Sequence, residues 1–286
     1  MIMNTRGVLA GLCVLAGLTS CSTAGNEIPA LPFDAYDLTS AERETVDKAR
    51  FLMLADCMKE FGMTLKASPL LVGQENELAD VEKYGYSGPP PTMSPGYTSY
   101  SVTDAQAVVM EGKKRSVGGK AVPAGGCFGA TEAFLGQGSR ELLGGEPARI
   151  REEEDLLALA DDAGTAAAAD PRIKKAEREW SACMKAKGFD YANPSAAMGD
   201  PRWAVNAAND HVVKATGSPA EIETATADAA CRTETDYTGV RRAALQESQR
   251  AVVARNPERF QRLKVINQVQ LANARKFLEG GLTVSW

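Results

Sequence analysis

The sequence predicts a mainly α-helical protein, with two diverged, disulfide-linked helical units closed by a long C-terminal helical hairpin. Three observations carry that prediction. The 286 residues are rich in alanine and only 6% aromatic, a balance that favours close-packed helices over sheets, and no stretch of useful length alternates with period two. A short motif occurs twice, as Cys57-Met58-Lys59-Glu60-Phe61-Gly62-Met63 and as Cys183-Met184-Lys185-Ala186-Lys187-Gly188-Phe189. Helix-capping signals also recur at intervals that leave room for helices and little else.

At the N-terminus, Arg6 precedes an eleven-residue apolar run, Val8 to Leu18, that ends in Leu18-Thr19-Ser20-Cys21. A positive start, a run too short to span a bilayer and small residues at its end describe an export signal over residues 1–20. The tetrapeptide resembles a bacterial lipobox. That resemblance implies cleavage before Cys21 and acylation of Cys21, which would hold the protein on the outer face of the cytoplasmic membrane through buried acyl chains. Residues 21–38, with Gly25, Asn26, Pro29 and Pro32, read as a tether.

The first unit is expected over residues 39–145. Thr39-Ser40-Ala41-Glu42 is a capping-box signal for a helix reaching about Phe61, with Val46, Ala49, Met53, Leu54, Cys57 and Phe61 on one side. Ser68 to Val102 reads as irregular. Its Tyr-Gly-Tyr and triple-proline segment predicts an extended surface loop in which Tyr84, Tyr86, Tyr97 and Tyr100 are candidate partner-binding residues, or else a crossover packed on the helices. Short helices follow at Asp104–Met110 and Phe128–Leu135.

Residues 136–147 form the boundary, and the second unit is expected over 146–280. It opens with a charged helix from about Ala148 to Ala163, whose Glu152-Glu153-Glu154-Asp155 run reads as a solvated first turn. Asp170-Pro171 starts the helix bearing the second motif, on which Ile173, Ala176, Trp180, Cys183 and Met184 share a side. Ser218-Pro219-Ala220-Glu221 opens a helix expected to run unbroken to Arg255, with Ile222, Ala229, Val240, Ala244 and Val252 towards a partner helix. Asn256-Pro257 breaks it, and a last helix stops at Gly280-Gly281, giving the terminal hairpin, a second candidate binding surface.

Beyond residue 20 and Cys21, four cysteines remain: Cys57, Cys127, Cys183 and Cys231. An even number in an exported chain points to two disulfides. Four cysteines allow three connectivities, and the repeat favours Cys57 with Cys127 and Cys183 with Cys231. Each bridge would close a loop of about 50 to 70 residues, worth roughly 4 kcal/mol on the chain-entropy argument. A zinc site or redox pair is disfavoured, since no Cys-x-x-Cys occurs and His211 is the single histidine.

These motifs together resemble exported lipoproteins of actinobacteria with no assigned activity. The resemblance rests on Pro32-Phe33-Asp34-Ala35-Tyr36, Cys57-Met58 with Gly62-Met63, Tyr84-Gly85-Tyr86, Gly126-Cys127 and the second cysteine pair. Met63 stands where the family usually has an aromatic. The shared motifs are structural, so the resemblance implies no catalytic residues.

Setting aside residues 1–20 removes Arg6 alone, so 31 basic residues face 37 acidic ones, a net charge of −6. That balance argues against nucleic acid. The dense basic run Lys113-Lys114-Arg115 reads as a solvated loop, and acidic Glu27, Asp34 and Asp37 near the anchor argue against a polybasic clamp on lipid headgroups. No Gly-x-Ser-x-Gly, His-Glu-x-x-His, phosphate-binding loop, calcium loop or complete dinucleotide fingerprint occurs. No catalytic residue, metal or cofactor is expected. The leading expectation is a non-catalytic adaptor or accessory subunit of an envelope or transport complex. Alternatives are a cell-wall hydrolase, needing only two carboxylates brought together in space, and a solute-binding lipoprotein.

Overall fold

A computed structural model describes residues 30–67, 70–72, 81–87, 92–94, 100–145, 151–203, 217–281 and 284. The signal segment, Cys21, Tyr97 and His211 lie outside the described residues. Leu31–Trp286 forms one compact unit, so the two repeats share a body.

The first long helix, α1 (Ser40–Glu60), begins as its cap signal requires: Thr39 Oγ1 accepts from the Glu42 amide, and Glu42 reaches back to the Thr39 amide. It buries two faces. Val46, Ala49 and Met53 pack with Leu135, Leu271 and Ala274, while Phe51, Leu54, Cys57 and Met58 pack with Leu65, Val109 and Cys127. Phe51 and Met58 therefore join the expected stripe, and Phe61 is only half-buried. A helix used on both sides has no single apolar stripe for periodicity to reveal.

Both copies of the cysteine motif end in the same hydrogen-bond pattern. The Met63 amide donates to the Met58 carbonyl (3.0 Å) and the Gly62 amide to Lys59 (2.9 Å); the Phe189 amide donates to Met184 (2.9 Å) and the Gly188 amide to Lys185 (3.1 Å). Gly62 and Gly188 have φ of 70° and 93°. These are Schellman caps, and the Met58–Met63 and Met184–Phe189 pairs supply their apolar contacts. The repeated motif is thus a cap built onto a disulfide-bearing helix.

The described residues of the segment after α1 include short elements that the sequence did not indicate. Strands β1 (Leu70–Val72) and β2 (Thr92–Ser94) pair antiparallel, with Leu71 opposite Met93, and Ala67 bridges Tyr100. Three-residue strands are too short to show an alternating pattern. Between them, α2 (Val81–Tyr84) and a 3-10 turn, Gly85–Ser87, cross to the second repeat.

Next come α3 (Asp104–Met110), the hairpin strands β3 (Ser116–Val117) and β4 (Lys120–Ala121), α4 (Gly126–Leu135) and the short α5 (Ser139–Leu142). Gly126 is required where it stands. A Cβ there would sit 2.3 Å from both the Met110 carbonyl oxygen and the Gly112 amide nitrogen. This close approach sets Cys127 one residue later against Cys57. Asn273 Nδ2 donates to the carbonyls of Phe134, Leu135 and Gln137, fastening the end of α4.

The second repeat comprises α6 (Arg151–Ala168), α7 (Pro171–Ala186), α8 (Pro194–Met198), α9 (Pro219–Glu234), α10 (Tyr237–Arg255) and α11 (Pro257–Leu278). Asp170 caps α7 by accepting from the Arg172 amide, and Ser218 caps α9 with Glu221. The expected unbroken helix from Ser218 to Arg255 is corrected to two helices. Asp236 adopts φ 49°, ψ 32°, the left-handed conformation that its short polar side chain tolerates. Gly239 makes room for it, since a Cβ at that position would lie 2.3 Å from Asp236 Oδ1.

The terminal hairpin formed by α10 and α11 meets at its hinge, where Val252 and Phe260 share a core cluster with Phe33, Leu159 and Ala163. Its arms then serve different partners: α10 packs on α6 and α7, whereas α11 packs on α1 and α4. The hairpin consequently joins the two repeats. No helix among the described residues is long and apolar enough to cross a membrane.

Candidate functional site

The repeats close around two disulfides, Cys57–Cys127 and Cys183–Cys231, with sequence separations of 70 and 48. This is the pairing the duplication favours. Cys57 and Cys127 are fully buried, while Cys183 is only half-buried. None of the four is a free thiol in this fold.

A buried polar cluster lies beside the second disulfide. On α9, Asp228 is fully buried and sits one turn before Cys231. Its Oδ1 accepts from Trp180 Nε1 of α7 (2.8 Å) and from Arg232 Nε (2.8 Å), and its Oδ2 accepts from Arg232 Nη2 (3.0 Å). Arg232 Nη2 also approaches Met198 Sδ at 3.2 Å, and its guanidinium lies 5.8 Å from the Tyr237 ring centroid. A buried carboxylate is tolerable when donors surround it in this way.

The crossover from the first repeat lands on this cluster. Gly85, with φ 65°, is packed so closely on the first turn of α9 that a Cβ would meet Glu221 Cγ at 3.1 Å and the Ile222 nitrogen at 3.3 Å. Tyr86 then stacks 5.8 Å from Trp203 at 32°. Its hydroxyl is enclosed beside the Asp228 carboxylate. Burial pushes its ionisation well above the ordinary tyrosine value, and the Asp228 carboxylate raises it further.

A shallower network continues outward. Tyr191 Oη donates to Asp200 Oδ2 (2.8 Å), and Arg202 Nη2 donates both to that oxygen (2.8 Å) and to Tyr191 Oη. Hydrogen bonds from Arg202 hold the Asp200 carboxyl well below the usual carboxylate range. The Arg202 guanidinium lies 4.8 Å from the Trp203 ring centroid.

Chemically, the arrangement binds two parts of the chain to one another. Asp228 is occupied by three donated hydrogen bonds, and the Tyr86 phenol is held neutral. No group of three or more His, Cys, Asp or Glu side chains among the described residues is arranged to hold a metal ion.

Of the tyrosines singled out by sequence, Tyr86 is half-buried against Trp203, and Tyr100 is half-buried 6.1 Å from Phe51. Tyr84 ends α2, but its side chain, like all of Tyr97, lies outside the described residues. The backbone of Glu152–Asp155 belongs to the first turn of α6. Sequence reasoning missed Asp228, Arg232 and Glu221 because α9 buries a polar face: Glu221, Thr224, Ala225, Asp228, Cys231 and Arg232. The expected Ile222 and Ala229 are only half-buried. The available signal was the i, i+4 pair Asp228–Arg232 flanking Cys231. Neither a protein-family model nor a curated protein nor a solved structure matches this chain.

Proposed function

We propose that the chain is a membrane-anchored extracytoplasmic lipoprotein that acts as a non-catalytic adaptor or accessory subunit of an envelope or transport complex. The observation that carries this reading is the pair of disulfides, Cys57–Cys127 and Cys183–Cys231, in a chain whose export-like start ends at Leu18-Thr19-Ser20-Cys21. Such bridges persist in oxidising compartments outside the cytoplasm. The mainly helical architecture supports an adaptor over a solute receptor, which depends on alternating strands and helices around a cleft.

Tyr86 and Tyr100 pack against the protein's own core, which shifts the proposed partner surface to the outward side of α10, where Arg250 and Ala254, one turn apart, are exposed. Fractionation and crosslinking test the reading. Wild-type protein should sediment with membranes and Cys21→Ser should not. Photocrosslinkers at Arg250 and Ala254 should capture one defined envelope protein. Release of cell-wall fragments from peptidoglycan by the purified chain, abolished by a single carboxylate substitution, would replace the adaptor with a hydrolase.

A further inference from the structure

The compact unit begins at Leu31, and its first six residues are fastened to the α10–α11 hinge. Pro32–Ala35 forms a 3-10 turn in which Asp34 Oδ2 accepts from the Leu31 amide at 2.6 Å. The Phe33 amide donates to Gln249 Oε1 of α10 at 3.2 Å, and Asn267 Nδ2 of α11 donates to the Tyr36 carbonyl at 3.1 Å. Gln249 and Asn267 are each only 7% exposed. The Phe33 and Tyr36 rings lie 4.8 and 5.0 Å from Phe260, and Lys264 Nζ stands 5.9 Å over Tyr36.

A segment serving only as a spacer would be polar and unpacked. This one inserts two aromatic rings and engages two buried amides, each of which would cost about 1–3 kcal/mol if left without a partner. The attachment is therefore specific, and it defines where the chain leads away towards Cys21. Nine residue steps separate Cys21 from Ala30, a reach of at most about 32 Å even when fully extended. The 19-residue helix α10 leads about 28 Å from the hinge back to Asp236. Bringing the hinge to the lipid needs little of that reach, whereas bringing the Asp236 end there would need almost all of it, so an anchor leaving from the hinge favours the hinge end.

We infer that residues 31–36 are a clasp that makes the α10–α11 hinge the end of the protein facing the phospholipid layer. The inference rests on the anchor reading above, and its test is separable from that reading. In mature protein beginning at Cys21, that residue is the one thiol outside the two disulfides, so it can be coupled to a maleimide lipid in phosphatidylcholine–phosphatidylglycerol vesicles without cellular acylation. Donor dyes are then placed by click chemistry at exposed Arg255, beside the hinge, or at exposed Thr238, about 26 Å away along α10, with acceptor dyes on the lipid.

Energy transfer from position 255 should exceed that from 238 by about twofold or more, given that separation. The difference should vanish in Phe33→Ala/Tyr36→Ala with helical dichroism retained, and also in Gln249→Leu/Asn267→Leu, which removes the two side-chain hooks. Equal transfer in the wild type, or a difference that survives either folded double variant, overturns the clasp. An unacylated native Cys21 would instead refute the anchor reading and leave the vesicle result standing.

Discussion

The indole Nε1 of Trp180 donates to Asp228 Oδ1 at 2.8 Å, three residues before each cysteine of the Cys183–Cys231 bridge. Covalent and polar links therefore join α7 to α9 one turn apart, and Tyr86 from the first repeat closes over the polar one. Trp180→Phe keeps an aromatic ring but deletes the indole N–H donor and part of the buried volume. It should destabilise the protein by about 1–3 kcal/mol in denaturant titrations. Asp228→Ala should cost more, about 3–5 kcal/mol, because it takes the carboxylate from buried Arg232. If the two single variants and the double variant prove additive, Trp180 and Asp228 are not coupled.

Peptide mapping without reduction should recover Cys57 joined to Cys127 and Cys183 joined to Cys231. Replacing either pair with serine should destabilise by roughly 4 kcal/mol on the chain-entropy argument, with the larger effect from the longer loop. The 70-residue separation of the first pair makes it the larger of the two. A Cys57–Cys183 product would show that the repeats pair through each other.

Gly62 and Gly126 both have positive φ, but their surroundings differ. Nothing lies within 4 Å of a Cβ built on Gly62, whereas one on Gly126 meets backbone atoms at 2.3 Å. Gly62→Ala should cost about 1 kcal/mol, the left-handed penalty alone. Gly126→Ala should cost about 3 kcal/mol or more, since backbone must move. Equal melting temperatures for the two variants would contradict the close approach of α3 and α4.

Alkaline titration tests the enclosure of Tyr86. Its folded ionisation is raised, so the stability it contributes is fully present below the unfolded tyrosine value of about 10 and is lost as pH rises beyond it. The unfolded chain loses the phenolic proton first, and stability falls with pH. Tyr86→Phe should flatten that decline above pH 10, although Tyr100, Tyr191 and Tyr237, also raised by burial, will retain part of it. An unchanged slope would mean that the hydroxyl is open to water.

How much of this was legible depended on where the signal resided. Thr39, Asp170 and Ser218 announce helix starts because their side chains satisfy amides a few residues away, and such local chemistry survives in the sequence. The break at Asp236 escaped because an aspartate, rather than glycine or proline, takes the left-handed turn. Gly239, three residues on, was its trace. The interior face of α9 escaped because its burial is compensated by partners from α7 and the crossover, and no apolar period can report it. The fate of Tyr86 was likewise a long-range matter, since Trp203 lies more than a hundred residues away.

The central claim is the lipid anchor, and mass spectrometry of the native mature N-terminus tests it most directly. The account predicts a chain starting at Cys21 and carrying a diacylglyceryl group, with processing lost in Cys21→Ser. An unmodified Cys21, or a mature chain starting anywhere else, would contradict it.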